Sequence, residues 1–155
     1  MTCEITTYDG LLLFWEGLAL LAETLVKQYG RGGEYIVYDI LLDEIKQAGL
    51  EQLSVGDFIR QRRERFSRPR LVADMHSAGL EVELISSSAT EIVTHVTHCE
   101  WARFFRERHP EVGYLMACSG DNAAYRAINP NLRLCRTMTL MEGGRMCDFR
   151  IYSVP

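Results

Sequence analysis

The fold of this chain is decided within residues 79–107, where the sequence reads GLEVELISSSATEIVTHVTHCEWARFFRE. At the start of this stretch Val82 and Leu84 alternate with Glu81 and Glu83. A period of two in hydrophobicity is typical of a β-strand with one face in solvent. The first strand of a sheet is therefore predicted here, with its apolar face on a core.

A second strand and a helix are predicted directly after the first strand. The serines at 86–88 indicate a turn, and residues 92–97 predict the second strand. Residues 101–107 return to helical spacing, and a further helix begins at Pro110, a residue that suits a first helical turn. Strand, turn, strand and helix in this order predict helices inserted between the strands of a sheet.

Further elements are predicted on both sides of this stretch. Upstream, the apolar spacing predicts helices over residues 8–30, 34–48, 55–66 (with Ser54 as the N-cap) and 71–78, the last following the break at Pro69. Downstream, Asn129-Pro130-Asn131 predicts a turn into two strands, residues 132–141 and 146–152, joined as a hairpin across residues 142–145. We therefore predict an α+β fold, with N-terminal helices packed on a four-stranded antiparallel sheet that has inserted helices.

The composition is that of an ordinary globular domain. The chain has 155 residues, of which 47% are hydrophobic and 25% are charged. We expect one domain over residues 1–155, with residues 1–79 as a helical scaffold and residues 80–155 as the half that carries the site. The net charge of −4 argues against nucleic-acid binding.

Nothing at the start of the sequence resembles a secretory leader, because MTCEITTYDG lacks a positive region and a cleavage pattern. The apolar stretch at 11–26 is interrupted by Glu16 and Glu23, and it is shorter than the ~20 apolar residues of a membrane span. We expect a cytoplasmic protein without membrane association. The stretch is interpreted as a buried helix or as the interface of a homodimer.

Charge is distributed unevenly along the chain. Residues 1–51 contain nine acidic and three basic residues, whereas residues 60–70 contain six arginines and one glutamate. An arginine cluster of this density can hold a phosphate or an acidic partner. The alternative is a solvated helix face that pairs with the acidic N-terminal half.

Residues capable of covalent or acid–base chemistry are concentrated in the second half. Four of the five cysteines and three of the four histidines follow Gly79. The odd number of cysteines argues against a disulfide framework and for free thiols. His98 and Cys99 lie where the second strand meets a helix, and Cys118 lies in the polar run Cys118-Ser119-Gly120-Asp121, where a helix is expected to be interrupted. A cysteine at such an irregular turn can have its thiolate stabilised by backbone N–H groups.

Each of these residues also has a purely structural interpretation. Cysteines are often small buried apolar residues, and on the last strand Cys147, Phe149 and Ile151 share one face. A zinc site formed by His98, Cys99, Cys118 and Cys147 is a further alternative, but no closely spaced ligand pair supports it. The sequence also lacks a P-loop, a GxGxxG motif and a GxSxG motif. No cofactor and no metal are therefore expected.

The run from residue 97 to residue 152 resembles the C-terminal half of the L-2-amino-thiazoline-4-carboxylic acid hydrolase family. The matching segments, in order, are Cys99, Pro110-Glu111-Val112-Gly113, Cys118 with Asp121, Asn129-Pro130-Asn131, the Arg136-Thr137 motif and Cys147-Asp148-Phe149-Arg150. The N-terminal helices, with YGRGGEYIV, resemble the family more loosely.

The resemblance implies hydrolysis of a C=N or C–N bond in a small, amino-acid-like cyclic amidine such as 2-aminothiazoline-4-carboxylate. On that basis Cys118 is the expected nucleophile, Asp121 its orienting or proton-transfer partner, and Cys147 a further residue of the catalytic centre. Arg136 or Arg150 would bind the substrate carboxylate. The remaining expected substrate contacts are Thr137, Glu142, His98 and Cys99.

Two other functions stay open at this point. The pattern of sheet and helices also resembles the small-ligand sensor domain related to bacteriochlorophyll vinyl reductases, which binds small molecules and can hold zinc through cysteines. This chain lacks the closely spaced cysteine pair of those domains, since Cys135 and Cys147 are further apart. The third alternative is a partner-binding protein whose interface is the arginine-rich helix.

Overall fold

The computed structural model describes residues 7–67 and 79–155, with side chains from residue 12 onward. The helices are α1 (Thr7–Tyr29), α2 (Arg31–Gln47), α3 (Val55–Ser67), α4 (Glu100–Arg108), α5 (Pro110–Ala117) and α6 (Asp121–Ile128). The strands are β1 (Leu80–Ser87), β2 (Glu91–Cys99), β3 (Leu132–Cys135) and β4 (Cys147–Ser153). The helix predicted over residues 71–78, the break at Pro69 and the residue Cys3 lie outside the described residues.

The described strands form one antiparallel sheet in the order β1-β2-β4-β3. Three helices precede the sheet, and α4, α5 and α6 are inserted between β2 and β3. The predicted α+β class, with N-terminal helices and a four-stranded antiparallel sheet, is confirmed.

The predicted hairpin between the last two strands is wrong in its extent. β3 ends at Cys135, and residues 136–146 form a long connection, here named the β3–β4 loop. The backbone amides of Thr137 and Met138 donate to Oδ1 of Asp148, at 2.9 and 2.7 Å, and so do not extend the ladder. At Gly143 the loop turns with a φ of 89°, a conformation that a side chain would strain.

A β-bulge lies near the end of β2. Val96 pairs with Val82 and His98 pairs with Glu81, so Thr97 is an extra residue without its own partner on β1. A bulge of this kind interrupts the alternation of side chains along a strand. As a result Cys99, which pairs with Leu80, lies on the core side of the sheet instead of the solvent side.

Two hydrophobic clusters fill the interior. The helical core is formed by α1, α2, α4, α5 and the β3–β4 loop through Ala19, Ala22, Val37, Ala102, Phe104, Phe105, Val112, Met116 and Met141. The sheet core lies between the sheet and α3, and its buried residues are Phe58, Ile59, Ile92, Leu132 and Ile151. Helix α6 contributes Tyr125 and Ile128 to the sheet core, whereas α5, which precedes it, contributes to the helical core. Together α5 and α6 therefore connect the two clusters.

A buried histidine ties α1 to the junction of α4 and α5. His109 is 3% exposed, and its Nδ1 lies 2.9 Å from Oε1 of Glu23. Its Nε2 lies 3.3 Å from Oε1 of Glu16, whose other oxygen contacts Nε of Arg108 at 3.0 Å. The two glutamates that interrupt the apolar stretch of α1 are therefore used in its docking.

Two arginines of α3, Arg60 and Arg62, contact side chains of their own helix. Arg60 pairs with Asp57 at 2.8 Å and with Glu64 at 3.6 Å, and Arg62 lies 5.4 Å above the Phe58 ring. As predicted, Ser54 caps this helix, since its Oγ accepts from the Asp57 amide at 3.1 Å. These contacts agree with the interpretation of a solvated helix face.

Across residues 7–67 and 79–155, no helix combines the length and the apolar character that crossing a membrane requires.

Candidate functional site

A small polar pocket lies where the helical core and the sheet core meet. It has a volume of about 280 Å³ and is here named the Cys118 pocket; it is lined by Tyr38, Tyr114, Cys118, Ser119, Asn122, Leu134 and Arg136. Cys118 packs against the helical core, whereas Leu134 packs against the sheet core. The volume is below the range of sites for drug-sized ligands, so it suits a molecule of amino-acid size.

The break between α5 and α6 places Cys118 in this pocket. Helix α5 ends at Ala117, and the amides of Cys118 and Ser119 both donate to the Tyr114 carbonyl at 2.9 Å. Helix α6 then begins at Asp121 after Gly120. The expected interruption of the helix is therefore present, and it turns the polar run into the pocket.

Arg136 forms the floor of the pocket and joins its parts. Its Nη1 donates to Oδ2 of Asp121 at 2.6 Å, and its Nη2 donates to the Cys118 carbonyl at 3.2 Å and to the Tyr114 hydroxyl at 3.4 Å. The guanidinium also lies 5.0 Å from the Phe149 ring centroid. Only 7% of the Arg136 side chain is exposed, so this cation is held by protein groups and not by solvent. These contacts engage both Nη atoms and use three of the five N–H donors of the guanidinium.

Burial dominates the electrostatics of the pocket. It raises the pKa of the Cys118 thiol from 9.0 to about 12, although the nearby charge of Arg136 opposes that change. Burial also raises the pKa of the Asp121 carboxyl, against the hydrogen bond from Arg136. Burial acts to lower the pKa of Arg136, but hydrogen bonds to Tyr114 and Asp121 outweigh it and hold that pKa above its usual value. The depressed thiol pKa expected for an activated nucleophile is therefore absent at Cys118.

Cys99 and Cys118 both pack against the helical core, and Cys147 is buried on β4. Burial raises the pKa of both Cys99 and Cys147 as well. The Cys147 Sγ accepts a hydrogen bond from the Leu140 amide at 3.2 Å, which ties this strand residue to the β3–β4 loop.

The candidate zinc ligands do not assemble into a metal site. Within the part of the chain that the structure describes, no three histidine, cysteine or carboxylate side chains are grouped so that they could hold a metal ion. His98 instead directs its Nε2 to Oε1 of Glu100 at 2.8 Å.

Comparison with known proteins places the whole of this architecture in one family. The profile of the L-2-amino-thiazoline-4-carboxylic acid hydrolase family matches residues 15–151. The chain belongs to this family. The match includes α1 and α2, which the sequence motifs connected to the family only loosely. No curated protein matches the chain significantly.

In this member of the hydrolase family, Thr137 and Glu142 stabilise the β3–β4 loop through hydrogen bonds. The Thr137 hydroxyl donates to Oδ2 of Asp148 at 2.6 Å, and Oε2 of Glu142 accepts from the Thr139 hydroxyl at 2.7 Å. The Thr139 oxygen accepts in turn from the Glu142 amide at 3.0 Å. These family motifs thus hold the loop that begins with Arg136.

The two candidate carboxylate-binding arginines lie on opposite faces of the sheet. Arg136 contacts Phe149, which is on the core face of β4, whereas Arg150 is on the outer face. The Arg150 side chain is 56% exposed and its Nε donates to Oε2 of Glu91 at 2.5 Å. Only Arg136 lines the Cys118 pocket.

His98 and Cys99 line a second depression of about 430 Å³ between β2 and α4, here named the β2–α4 groove; its other lining residues are Thr97, Ala102, Arg103, Arg106, Glu107 and Leu140. The Arg106 Nη1 donates to the Leu140 carbonyl at 3.3 Å. Of the sequence-predicted site residues, Cys118 and Arg136 therefore line the Cys118 pocket, and His98 and Cys99 line the β2–α4 groove. The others line neither depression: Asp121, Thr137, Glu142, Cys147 and Arg150.

Five lining residues of the Cys118 pocket were missed by sequence reasoning: Tyr38, Tyr114, Ser119, Asn122 and Leu134. Ser119 and Asn122 flank Cys118 and Asp121 in a run whose polarity is unusual for a core, which was a usable signal. Tyr38 carries no such signal, because it comes from the half of the chain that was assigned to scaffold. Its helix α2 packs against both α5 and α6, and this brings the ring to the pocket.

Proposed function

We propose that this protein hydrolyses a small cyclic amidine that carries a carboxylate, of the 2-aminothiazoline-4-carboxylate type, in the Cys118 pocket. Membership of the hydrolase family supports the class of reaction. The observation that carries the proposal is the network around Arg136, a lining residue of the pocket that binds both the Cys118 carbonyl and the Asp121 carboxylate.

The substrate carboxylate would accept a hydrogen bond from an N–H donor of Arg136 that is not used by Asp121, Tyr114 or the Cys118 carbonyl. A buried guanidinium binds a carboxylate strongly, because little solvent competes for it. The pocket is bounded by the Tyr38 and Tyr114 side chains, which can contact the faces of a flat heterocycle. This arrangement would hold the amidine carbon near the Cys118 sulfur.

In the first step the Cys118 thiol gives its proton to the Asp121 carboxylate as Sγ bonds to the amidinium carbon. The C=N electron pair moves to nitrogen. A transfer concerted with attack suits this pocket, since a thiol with a pKa of about 12 is not ionised beforehand. The raised pKa of Asp121 makes it a better proton acceptor than an ordinary carboxylate.

In the second step the ring C–S bond breaks, and the departing sulfur takes the proton from Asp121. The substrate then remains attached to Cys118 as an isothiouronium. Water adds to this carbon and gives one proton to Asp121. The C–S bond to Cys118 breaks as the new hydroxyl passes its proton to that sulfur and becomes a urea carbonyl. Asp121 finally returns its proton to solvent.

Cys147 has a positioning role in this scheme. Its hydrogen bond from Leu140 fixes the β3–β4 loop, which also carries Arg136 at its start. Cys99 and His98 line the β2–α4 groove together with Leu140 of the same loop. They would therefore influence the site through the loop.

A second function, ligand binding without catalysis, is favoured by a different observation. Burial raises the pKa of the Cys99, Cys118 and Cys147 thiols, and Asp121 is already paired with Arg136. A pocket of this kind can bind a carboxylate-bearing ligand while its cysteines remain protonated.

The test is to incubate the full chain with 2-aminothiazoline-4-carboxylate and to follow release of the new thiol with a chromogenic disulfide. We expect turnover in the natural protein, loss of at least about 100-fold in Cys118→Ser and Asp121→Asn, and a raised KM in Arg136→Lys. Cys135→Ser is the matched control, because Cys135 is an exposed thiol outside the pocket. Binding by calorimetry without any turnover would contradict the hydrolase proposal and support the ligand-binding one.

A further inference from the structure

We propose that this protein forms a homodimer through an apolar surface on α1 and α2. The surface, here named the α1–α2 face, consists of exposed large side chains: Leu13, Phe14, Leu20 and Leu21 from α1, with Ile36 and Ile40 from α2. The proposal is independent of the proposed function, because none of these residues lines the Cys118 pocket.

Helix α1 is apolar on two opposite sides. One side is in the helical core, where Ala19 and Ala22 are 0% and 3% exposed. The other side carries Leu13 and Leu21, each 63% exposed. A surface helix normally places charged and polar residues opposite its core side, and a helix that is apolar all round is normally buried all round. The outer side of α1 therefore requires a covering partner.

The exposed isoleucines of α2 continue the same surface. Gly33 lies against the backbone of Leu25 in α1, so this side of α2 faces α1. Ile36 and Ile40 follow Gly33 by three and seven residues, which places them on the same side of the helix. Both isoleucines are exposed, at 43% and 54%, on the helix that packs against α1.

The area of the α1–α2 face is suited to a dimer. Its six side chains are between 43% and 63% exposed. Together they leave on the order of 600 Å² of apolar surface in solvent, at the upper end of what a monomer exposes in one patch. A standard interface buries about 800 Å² on each partner, so this face with its polar margin is sufficient.

The occupant is identified as a second copy by the order of side chains along α1. The exposed residues are arranged symmetrically about Gly17, with Leu13 and Phe14 before it and Leu20 and Leu21 after it. In an antiparallel pair that crosses at Gly17, Leu13 would meet Leu21 of the second copy and Phe14 would meet Leu20. Such a self-complementary patch is what a two-fold interface requires. No atom lies within 4 Å of the Cβ position at Gly17, so two helices can approach closely there.

A lipid surface fits this face less well than a second copy. Helices that bind membranes in the interface plane carry lysines and arginines along their polar side. The described side chains of the two helices include six acidic residues and three basic ones: Glu16, Glu23, Glu34, Asp39, Asp43 and Glu44 against Lys27, Arg31 and Lys46. An acidic surround would be repelled by anionic headgroups.

The test is sedimentation equilibrium of the full chain, with the natural protein compared to Gly17→Gln and Leu21→Glu. We expect the natural protein to have twice the 17.7 kDa mass of the chain and both variants to have the monomer mass. Gly17→Gln separates dimer loss from misfolding. The Cβ at position 17 meets no atom within 4 Å, and glutamine has a higher helix propensity than glycine, so the circular dichroism spectrum should be unchanged.

Ile85→Glu is the matched control, because Ile85 is 45% exposed on β1, away from this face, and its variant should remain dimeric. A natural protein that is monomeric at 100 μM would overturn the proposal. It would also be overturned if both α1 variants stayed dimeric, or if the natural protein were monomeric and bound vesicles of phosphatidylcholine and phosphatidylglycerol.

Discussion

At the scale of single residues, Arg136 determines the character of the Cys118 pocket. It is buried, it pairs with a carboxylate, and it donates to the backbone at the break between α5 and α6. The cost of removing a buried ion-pair partner is set mainly by the charge that remains behind without compensation. The Asp121 side chain is 32% exposed, so solvent reduces that cost but does not abolish it.

We predict that Arg136→Met lowers the free energy of unfolding by about 1–3 kcal/mol. The double variant Asp121→Asn with Arg136→Met should recover part of this loss, because no uncompensated carboxylate then remains. Urea denaturation of the two single variants and the double variant measures the coupling between the side chains. Strictly additive losses would mean that the pair contributes nothing as a pair.

The Cys118 thiol is predicted to label slowly with iodoacetamide near neutral pH, since thiolate is the reacting form and its pKa is raised to about 12. The exposed Cys135 should be alkylated first. Peptide mass spectrometry across pH 7 to 11 measures both rates. Fast labelling of Cys118 below pH 8 would contradict the burial argument.

The same shift has a consequence for stability. The folded state holds the thiol proton more tightly than the unfolded state, in which the pKa is near 9.0. This contribution to stability is therefore complete below pH 9 and is lost as the pH rises from 9 through about 12. In Cys118→Ala the alkaline loss of stability should be smaller than in the natural protein.

At the scale of elements, the close crossing of α1 and α2 depends on one glycine. A Cβ at Gly33 would overlap the backbone carbonyl of Leu25, and backbone atoms cannot move aside as a flexible side chain can. At the adjacent Gly32 the nearest atom to a Cβ would be Cβ of Tyr29 at 3.8 Å, an ordinary contact. The two glycines share a sequence context and differ only in the side of the helix on which they lie.

We predict opposite outcomes for this neighbouring pair. Gly33→Ala should destabilise the protein by about 1–3 kcal/mol through the clash. Gly32→Ala should be neutral or stabilising by about 0.5 kcal/mol, because alanine has the higher helix propensity. Thermal melts followed by circular dichroism compare the two variants, and equal effects would contradict the proposed close approach.

At the scale of the whole molecule, a dimer would make stability depend on protein concentration. Association stabilises the folded state by mass action, so Tm should rise between about 1 and 100 μM protein in the natural chain. The same series in Leu21→Glu should give a constant Tm. A constant Tm in both proteins, measured by scanning fluorimetry, would argue against folding linked to association.

The features that the sequence predicted correctly are local ones. The alternation of Val82 and Leu84 with glutamates identified β1, and the polar run after Cys118 identified the break between α5 and α6. Each depends on residues within a few positions of one another, where periodicity and turn chemistry act directly.

The features that it missed depend on contacts between distant segments. The extent of β3 was overestimated, because the Asp148 side chain captures two backbone amides that would otherwise pair in a ladder. Tyr38 reaches the pocket only because α2 packs against α5 and α6. Likewise Arg136 and Arg150 are equivalent in sequence terms, and only the faces of the assembled sheet distinguish them.

The bulge at Thr97 shifts the alternation of side chains along β2 by one residue. If Thr97 instead paired regularly with Glu81, His98 would move to the core side and the Cys99 thiol would point into solvent. Deletion of Thr97 would have the opposite result, because Val96, His98 and Cys99 would then alternate without a bulge and the thiol would stay on the core side. The extra residue therefore lets a cysteine three positions after Val96 occupy the inward place that strict alternation gives to a residue two positions after it.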